Sequence, residues 1–145
     1  MFVNPASRVS YGIDPPICFY YTPFVKKIKL RFGRVQMSRR VVAYVSPWCS
    51  QSQDTKRALG EWGVPCTIVD VKADPAAAAR VRKWVGFESV PTVVIAEGES
   101  LEPYEPPRPL MPGSGPRGVD RGSMITEASR PELRAWLVKN GFLER

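Results

Sequence analysis

The chain has no histidine and only three cysteines among its 145 residues. The absence of histidine excludes His-based general acid–base catalysis, Cys–His dyads and His-containing metal sites. Cys18, Cys49 and Cys66 are odd in number and share no close spacing, which is not the pattern of a disulfide framework. We therefore expect any chemistry to depend on cysteine, carboxylates, hydroxyls or backbone groups, in a reducing, cytoplasmic setting.

Long hydrophobic runs are also missing. No apolar segment approaches the roughly 20 residues that a membrane-spanning helix needs, so no membrane partner is expected. The most apolar N-terminal piece, residues 17–25, is short, contains Pro23 and follows Asp14-Pro15-Pro16, which is unlike a signal peptide. With a hydrophobic content of 43%, the chain can form one compact domain. The sequence does not set the oligomeric state, and a monomer is the simplest expectation.

Acidic residues are scarce in the N-terminal part. Residues 1–40 hold eight of the 21 basic residues and one of the 14 acidic ones, so they account for the whole formal charge of +7. We interpret residues 1–36 as a basic N-terminal extension that folds poorly or not at all, with a weak strand pattern at 25–32. Residues 37–145 are then the folded domain. An arm that binds nucleic acid or an anionic membrane is the less favoured alternative.

The most informative stretch is residues 41–52, Val-Val-Ala-Tyr-Val-Ser-Pro-Trp-Cys-Ser-Gln-Ser. Residues 41–45 form an uncharged, β-rich run, Ser46-Pro47 is a turn signal, and helix-forming residues follow from Ser50. Cys49 therefore lies where a buried strand becomes a helix. Free backbone N–H groups and the helix dipole favour a thiolate at that position, and the thiolate is the nucleophile.

The remaining pattern predicts an α/β domain. Gly63 marks the end of the first helix, Asp74-Pro75 the start of the second, and Ser129 to Glu132 a capping box for the last. Cys66 begins the second strand, at the opposite end of the sheet from Cys49. The predicted elements are a strand at 41–45, a helix at 50–62, a strand at 66–71, a helix at 75–85, a strand after Pro91, a turn at 97–100, a short strand near Leu101, and a helix from Ser129 to Asn140.

Six prolines lie between residues 103 and 116. Such a density excludes a regular helix or strand and indicates an extended, partly polyproline loop. We expect residues 103–122 to be a proline-rich insertion at the surface of the domain. Acidic residues around it could bind a basic partner, although a solvated loop is the preferred interpretation.

This order of elements, with a cysteine at the first strand–helix junction and Val-Pro-Thr before the third strand, resembles the thioredoxin fold. The motifs Pro-Trp-Cys-x-x-Ser and Ser-Val-Pro-Thr resemble the glutaredoxin family, of the monothiol Cys-x-x-Ser type, over roughly residues 40–143. The resemblance implies a central four-stranded mixed sheet flanked by helices. It also implies an activity, thiol–disulfide exchange with protein or small-molecule disulfides.

The resemblance implies a role for each motif residue. Cys49 corresponds to the nucleophile, and Ser52 to the position of the second cysteine in dithiol members. Pro91 corresponds to the cis-proline beside the reactive sulfur, and Val90 to the residue whose backbone pairs with the cysteinyl unit of glutathione. A cis X–Pro bond leaves such backbone groups available to an extended ligand. Trp48 is either one wall of the substrate groove or a cover for the helix end.

The chain differs from the family in three features. Ser46 stands where many glutaredoxins have a lysine. The Gly-Gly pair of the family is missing, with Arg121-Gly122-Ser123 as the candidate replacement. The iron–sulfur carriers have Cys-Gly-Phe-Ser, whereas this chain has Cys-Ser-Gln-Ser from Cys49 to Ser52.

A single-cysteine mechanism follows from these motifs. With serine at position 52, a mixed disulfide at Cys49 must be released by a second thiol, such as glutathione or another low-molecular-weight thiol. The Ser52 hydroxyl is also a candidate donor to the Cys49 thiolate. Two other classes stay open: a non-catalytic interaction module that docks through the proline-rich insertion, and, less favoured, a carrier of an iron–sulfur cluster held by Cys49 and glutathione.

Overall fold

A computed structural model describes residues 38–145 and the backbone of residues 18–20. The strand predicted at 25–32 and most of the basic extension lie outside the described residues. The chain order of the elements is the predicted one, preceded by one short strand. The strands are β1 (Cys18–Tyr20), β2 (Arg39–Val45), β3 (Cys66–Asp70), β4 (Thr92–Glu97) and β5 (Met124–Thr126), and the helices are α1 (Ser50–Glu61), α2 (Pro75–Val85) and α3 (Arg130–Lys139).

The sheet has the order β1-β3-β2-β4-β5. Strand β3 is parallel to β2, whereas β4 is antiparallel to both β2 and β5. The four-stranded mixed sheet that the sequence predicts is therefore present as β2 to β5, and β1 adds a parallel edge strand to β3. This strand order, with helices between the strands, is the thioredoxin fold.

The sheet separates two apolar layers. Val41, Ala43 and Val45 of β2 face a cluster that includes Leu59 of α1 and Trp136 of α3. The alternate β2 residues and Val69 face a second cluster built on α2 through Ala77, Val81 and Val85. Because both faces are covered, β2 and β4 are almost continuously apolar, which is why their sequence shows runs rather than alternation.

The helix ends follow the predicted signals. The Asp74 side chain accepts hydrogen bonds from the backbone at the start of α2, and Gly86 ends that helix in the left-handed conformation. Ser129 and Glu132 form the complete capping box of α3. These local signals act within a few residues, so the sequence alone predicts them.

The fourth predicted strand is wrong in position. Leu101 lies in an irregular segment, and the strand that pairs with β4 begins only at Met124. The turn at Glu97 does form, with Ser100 N–H donating to Glu97 O, and Tyr104 N–H then donates to Ile95 O. No strand continues from this contact because the closely spaced prolines that follow lack the N–H donors of a ladder.

The insertion packs against the domain through a buried arginine. Arg121 donates from Nε to Arg108 O at 2.6 Å and from Nη1 to Trp84 O at 3.0 Å, which joins the insertion to the end of α2. Burial lowers the pKa of its guanidinium group. Gly122 O accepts a hydrogen bond from the Trp136 indole of α3 at 3.0 Å. The insertion is thus held by specific contacts to two helices, despite its lack of regular structure.

The three cysteines lack the sequence pattern of a disulfide framework, but one of them does form a disulfide. Cys66 is disulfide-bonded, whereas Cys49 is free. The Cα of Cys66 lies opposite the Cα of Cys18 in the parallel register of β1 and β3. Cysteine spacing along the sequence does not reveal which strands become neighbours, so the sequence did not indicate that β1 pairs with β3. Cys66 is also buried in the core and begins β3 at the end of the sheet opposite Cys49, as predicted.

Asp120 provides a pH-dependent anchor between the insertion and α3. Burial raises the pKa of its carboxyl, but hydrogen bonds from Lys139 and the Gly122 N–H, together with the charges of Lys139 and Arg108, outweigh burial and lower it. A lowered folded pKa stabilises the protein above the ordinary value of about 3.9, and this contribution disappears as the pH falls through the folded value.

We expect Asp120→Asn to lower the free energy of unfolding near neutral pH, and the difference from the wild type to shrink toward pH 3. Urea unfolding followed between pH 7 and pH 3 measures this difference. Glu144→Gln, a change at an exposed carboxyl near the C-terminus, is the control and should show no such trend. A difference that is independent of pH would contradict the role assigned to the Asp120 charge.

Candidate active site

Cys49 is the N-cap residue of α1, directly after the turn that follows β2. Its thiol is partly exposed, and it is the free cysteine among the described residues. The backbone N–H of Ser52 donates to Cys49 Sγ at 3.4 Å. The first turn of α1 contains no acidic residue whose charge would offset the positive end of the helix dipole. The strand–helix junction therefore presents a thiol to solvent at a helix N-terminus, as the sequence predicts.

The second side of the site is the loop before β4. The peptide bond between Val90 and Pro91 is cis, as the resemblance implies. Cys49 Sγ lies 3.8 Å from the carbonyl oxygen of Val90, to which its thiol donates. The antiparallel pairing of β2 with β4 accounts for this contact, because Tyr44 lies opposite Thr92 and the two loops emerge at the same end of the sheet.

Ser52 does not act as the sequence analysis suggests. Its side chain is fully buried, and its Oγ accepts a hydrogen bond from the Ser46 backbone N–H at 3.2 Å. The group that contacts Cys49 Sγ is the backbone N–H of Ser52 and not the hydroxyl. The expectation of a hydroxyl donor to the thiolate is therefore corrected, because the helical backbone directs the Ser52 side chain back toward the turn.

Ser46 organises the turn that carries the cysteine. Its carbonyl accepts from the Cys49 N–H at 3.2 Å and from the Gln53 side chain at 3.3 Å. Its hydroxyl accepts from the Trp48 N–H at 3.2 Å. The residue is nearly fully buried. Ser46 stands where many glutaredoxins have a lysine, and in the structure it is a small polar residue whose groups hold the loop.

We expect Ser52→Ala to lower the free energy of unfolding by about 1–3 kcal/mol, because it leaves the buried Ser46 N–H without a partner. The alkylation rate of Cys49 should change little, because the backbone N–H of residue 52 is retained. Urea unfolding and iodoacetamide kinetics measure the two effects. Ser50→Ala, at an exposed position of the same helix turn, is the control. A large fall in alkylation rate with unchanged stability would instead favour the hydroxyl donor.

A third segment of the site was not predicted. Glu127 follows β5 and donates its N–H to Pro91 O at 2.7 Å, and the Gln51 side chain donates to Ala128 O at 3.3 Å. Contacts thus link the cysteine turn, the cis-proline loop and residues 127–128. Glu127 has φ +48°, a left-handed conformation that is uncommon for residues other than glycine. Its place two residues before the capping box at Ser129 was the available sequence signal.

Arg121-Gly122-Ser123 does not take this place. Ser123 O accepts from the Ile95 N–H at 2.9 Å, beyond the middle of β4. The segment therefore lies before β5, away from the end of the sheet that carries Cys49. The candidate replacement for the missing Gly-Gly pair is wrong, and the segment that contacts the cis-proline loop is the one after β5.

Trp48 lies beside the thiol and is 81% exposed. It therefore does not cover the end of α1 by burial in the protein, and its indole is available to a ligand. Among the described residues there is no group of three or more metal-ligating side chains. None of the helices in the described part of the chain has the length and apolar character of a membrane span.

The fold and the site together define a class: a thioredoxin-fold protein with a free thiol at a helix N-terminus next to a cis-proline loop. The glutaredoxin family model matches residues 41–100, which contain Cys49, Ser52, Val90 and Pro91. This match covers less than half of the chain and does not reach β5, α3 or Glu127. Family and fold together support a thiol–disulfide oxidoreductase-like protein.

The other comparisons add little detail. No curated protein is similar enough to count as a match. Among solved structures, thioredoxin O2 from Arabidopsis thaliana in its oxidised state is 13% identical, with a TM-score of 0.44, and the alignment covers 72% of this chain and 75% of that one. The assignment of the fold rests on the topology of the chain itself.

Proposed function

We propose that the protein is a monothiol oxidoreductase that exchanges thiols with low-molecular-weight mixed disulfides, with glutathione as the preferred co-substrate. The observation that carries this proposal is the geometry of Cys49. A partly exposed sulfur receives a backbone N–H at 3.4 Å and lies 3.8 Å from the carbonyl of Val90. Such a thiol is accessible to a disulfide and has a backbone N–H donor directed at its sulfur.

The reaction is two successive exchanges. The Cys49 thiolate attacks one sulfur of a disulfide, a new sulfur–sulfur bond forms, the old one breaks, and the leaving thiolate takes a proton from solvent. A second thiolate then attacks the ligand sulfur of the mixed disulfide. This step releases a new disulfide and regenerates the Cys49 thiolate. One disulfide and one thiol are consumed, and one of each is produced, so no other oxidant or reductant is needed.

Two features favour a small thiol for the second step. The serine at position 52 is buried and lacks sulfur, so it cannot form an internal disulfide with Cys49. Val90 lies beside the sulfur in a loop whose backbone could pair with a short extended peptide, in the manner of strand addition. Glutathione supplies both a thiol and such a backbone, which makes it the best candidate. The substrates of the protein would be small-molecule or protein mixed disulfides.

The test is adduct formation with glutathione disulfide. We expect a single glutathione adduct at Cys49 by intact-mass and peptide mass spectrometry, and its release by added glutathione at a rate proportional to the thiol concentration. Ser52→Cys is the matched variant: a thiol at that position should form an internal disulfide with Cys49 and release the adduct without added thiol.

Two outcomes would overturn the proposal. If Cys49 alkylates no faster than free cysteine and forms no adduct, the non-catalytic interaction module becomes the leading hypothesis. If the purified protein binds iron and shows visible absorbance that depends on both Cys49 and glutathione, the cluster carrier replaces it.

A further inference from the structure

The proline-rich insertion contributes an arginine to an ion pair at the edge of the candidate active site. Arg117 Nη2 lies 2.7 Å from Glu127 Oε1, and the Ser89 hydroxyl donates to the other carboxylate oxygen of Glu127. Arg117 belongs to the insertion, Ser89 to the cis-proline loop and Glu127 to the segment after β5. None of the three residues has a role in the monothiol mechanism.

This pair lies at the edge of the thiol site. Glu127 N–H donates to Pro91 O at 2.7 Å, and the Glu127 side chain contacts Ser89. Glu127 therefore contacts both chain neighbours of Val90. The carbonyl of Val90 is in turn the group 3.8 Å from Cys49 Sγ. A ligand that forms a disulfide with Cys49 and pairs with Val90 must therefore pass close to the Glu127–Arg117 pair.

The insertion is fixed at this point. Gly118 N–H donates to Thr126 O at 2.7 Å, and residue 117 forms a bridge to the end of β5. Gly118 has φ +71°, and a Cβ there would lie 2.6 Å from a carboxylate oxygen of Glu132. Only glycine combines this conformation with such a close approach to the capping box of α3. The contacts hold the backbone of Arg117 beside the site.

The pair is oriented, with its positive member outward. Both carboxylate oxygens of Glu127 are engaged, and its side chain is 17% exposed. The Arg117 side chain is 71% exposed, so its guanidinium group, which carries five N–H donors, is open to a ligand from solvent. The other charged groups on α3 near this edge are engaged: Arg130 pairs with Asp54 and Glu61 of α1, and Glu132 accepts from the Ser129 N–H.

We propose that the Arg117–Glu127 pair selects the disulfide substrate by charge: Arg117 binds an anionic group of the substrate and disfavours cationic substrates, and Glu127 positions Arg117 and partly offsets its charge. This inference rests on the proposed exchange reaction at Cys49. The cation is supplied by the insertion instead of by the cysteine turn, whose sequence from Ser46 to Ser52 contains no basic residue. The insertion thus has a role in recognition.

In the experiment, the full-length protein reacts with three small disulfides of different charge, and their rates are compared. Glutathione disulfide is anionic, cystamine is cationic and bis(2-hydroxyethyl) disulfide is neutral at pH 7. For each disulfide, samples are quenched with acid at timed intervals, and the rate of mixed-disulfide formation at Cys49 is measured by mass spectrometry. The variants are Arg117→Ala, Arg117→Lys, Glu127→Gln and the double variant of Arg117→Ala with Glu127→Gln.

Arg117→Ala leaves the Glu127 charge uncompensated, so the ratio of anionic to cationic rates should fall about three- to tenfold. Glu127→Gln should raise this ratio by a similar factor, Arg117→Lys should keep it near the wild type, and the double variant should fall between the single ones. Rates with the neutral disulfide should stay within about twofold. The effects should shrink in 1 M salt, where the Debye length falls to about 3 Å.

Arg108→Ala is the matched control. Arg108 is an arginine of the same insertion that also pairs with an acid, Asp120, but this pair lies against Lys139 at the far end of α3. Its loss should leave the selectivity unchanged. An equal effect of Arg108→Ala and Arg117→Ala, or no change of the ratio in any variant, would overturn the inference.

The two hypotheses fail in different ways. If no disulfide reacts with Cys49 in the wild type, including the neutral one, the proposed exchange reaction itself is wrong. If all three disulfides react but the ratio of anionic to cationic rates does not change in the Arg117 and Glu127 variants, the proposed reaction stands and the charge selection is wrong.

Discussion

Replacement of Cys49 by serine is expected to lower the rate of disulfide exchange by at least about a thousandfold, the scale of removing a catalytic nucleophile. A serine hydroxyl is almost entirely protonated at neutral pH and cannot form a disulfide. The sulfur is the atom that receives the Ser52 N–H and approaches Val90. Exchange between glutathione and a small mixed disulfide, coupled to glutathione reductase, measures the rate.

The activity control is a nearby substitution that leaves the thiol intact. Ser50→Ala alters the same helical turn at an exposed residue and should retain most of the activity. Circular dichroism and urea unfolding of Cys49→Ser should match the wild type, because the N-cap position also favours serine. Residual activity of more than a few per cent in Cys49→Ser would assign the chemistry to a different group.

The largest effect on stability is expected from Trp136→Ala. Trp136 is 2% exposed and lies in the apolar cluster between the sheet and α1 and α3. Loss of its ring should lower the free energy of unfolding by about 3–5 kcal/mol, through lost burial and the cavity that remains. Its indole N–H also donates to Gly122 O, so the insertion should lose one of its anchors along with the core contact.

Two further variants separate these contributions. Trp136→Phe keeps most of the apolar contact but removes the donor to Gly122 O, and should cost about 1–2 kcal/mol. Trp48→Ala removes an indole that is 81% exposed and should change stability by less than about 0.5 kcal/mol. Urea unfolding measures all three. A similar loss for Trp136→Ala and Trp48→Ala would contradict the placement of Trp136 in the core.

The cis-proline loop is a part of the site that a short sequence motif predicts. The resemblance of Val-Pro-Thr to the glutaredoxin motif implied a cis-proline beside the sulfur. The structure has the Val90 carbonyl 3.8 Å from Cys49 Sγ. The motif could be used because a buried strand, a turn and a helix N-terminus each leave a short, specific sequence pattern.

The sequence by itself determined the place of Cys49 at a strand–helix junction, the helix caps at Asp74 and Ser129, and the apolar strands β2 and β4. Each depends on residues a few positions apart, where backbone geometry and side-chain chemistry act directly.

Only the tertiary structure decided the position of β5, the partner strand of Cys66, the direction of the Ser52 hydroxyl, and the meeting of Arg117 with Glu127. These depend on contacts between segments that are distant in sequence. A proline-rich segment has no period that could indicate where its chain returns to the sheet. Its charged residues acquire a role only because β5 ends beside the loop that carries Val90.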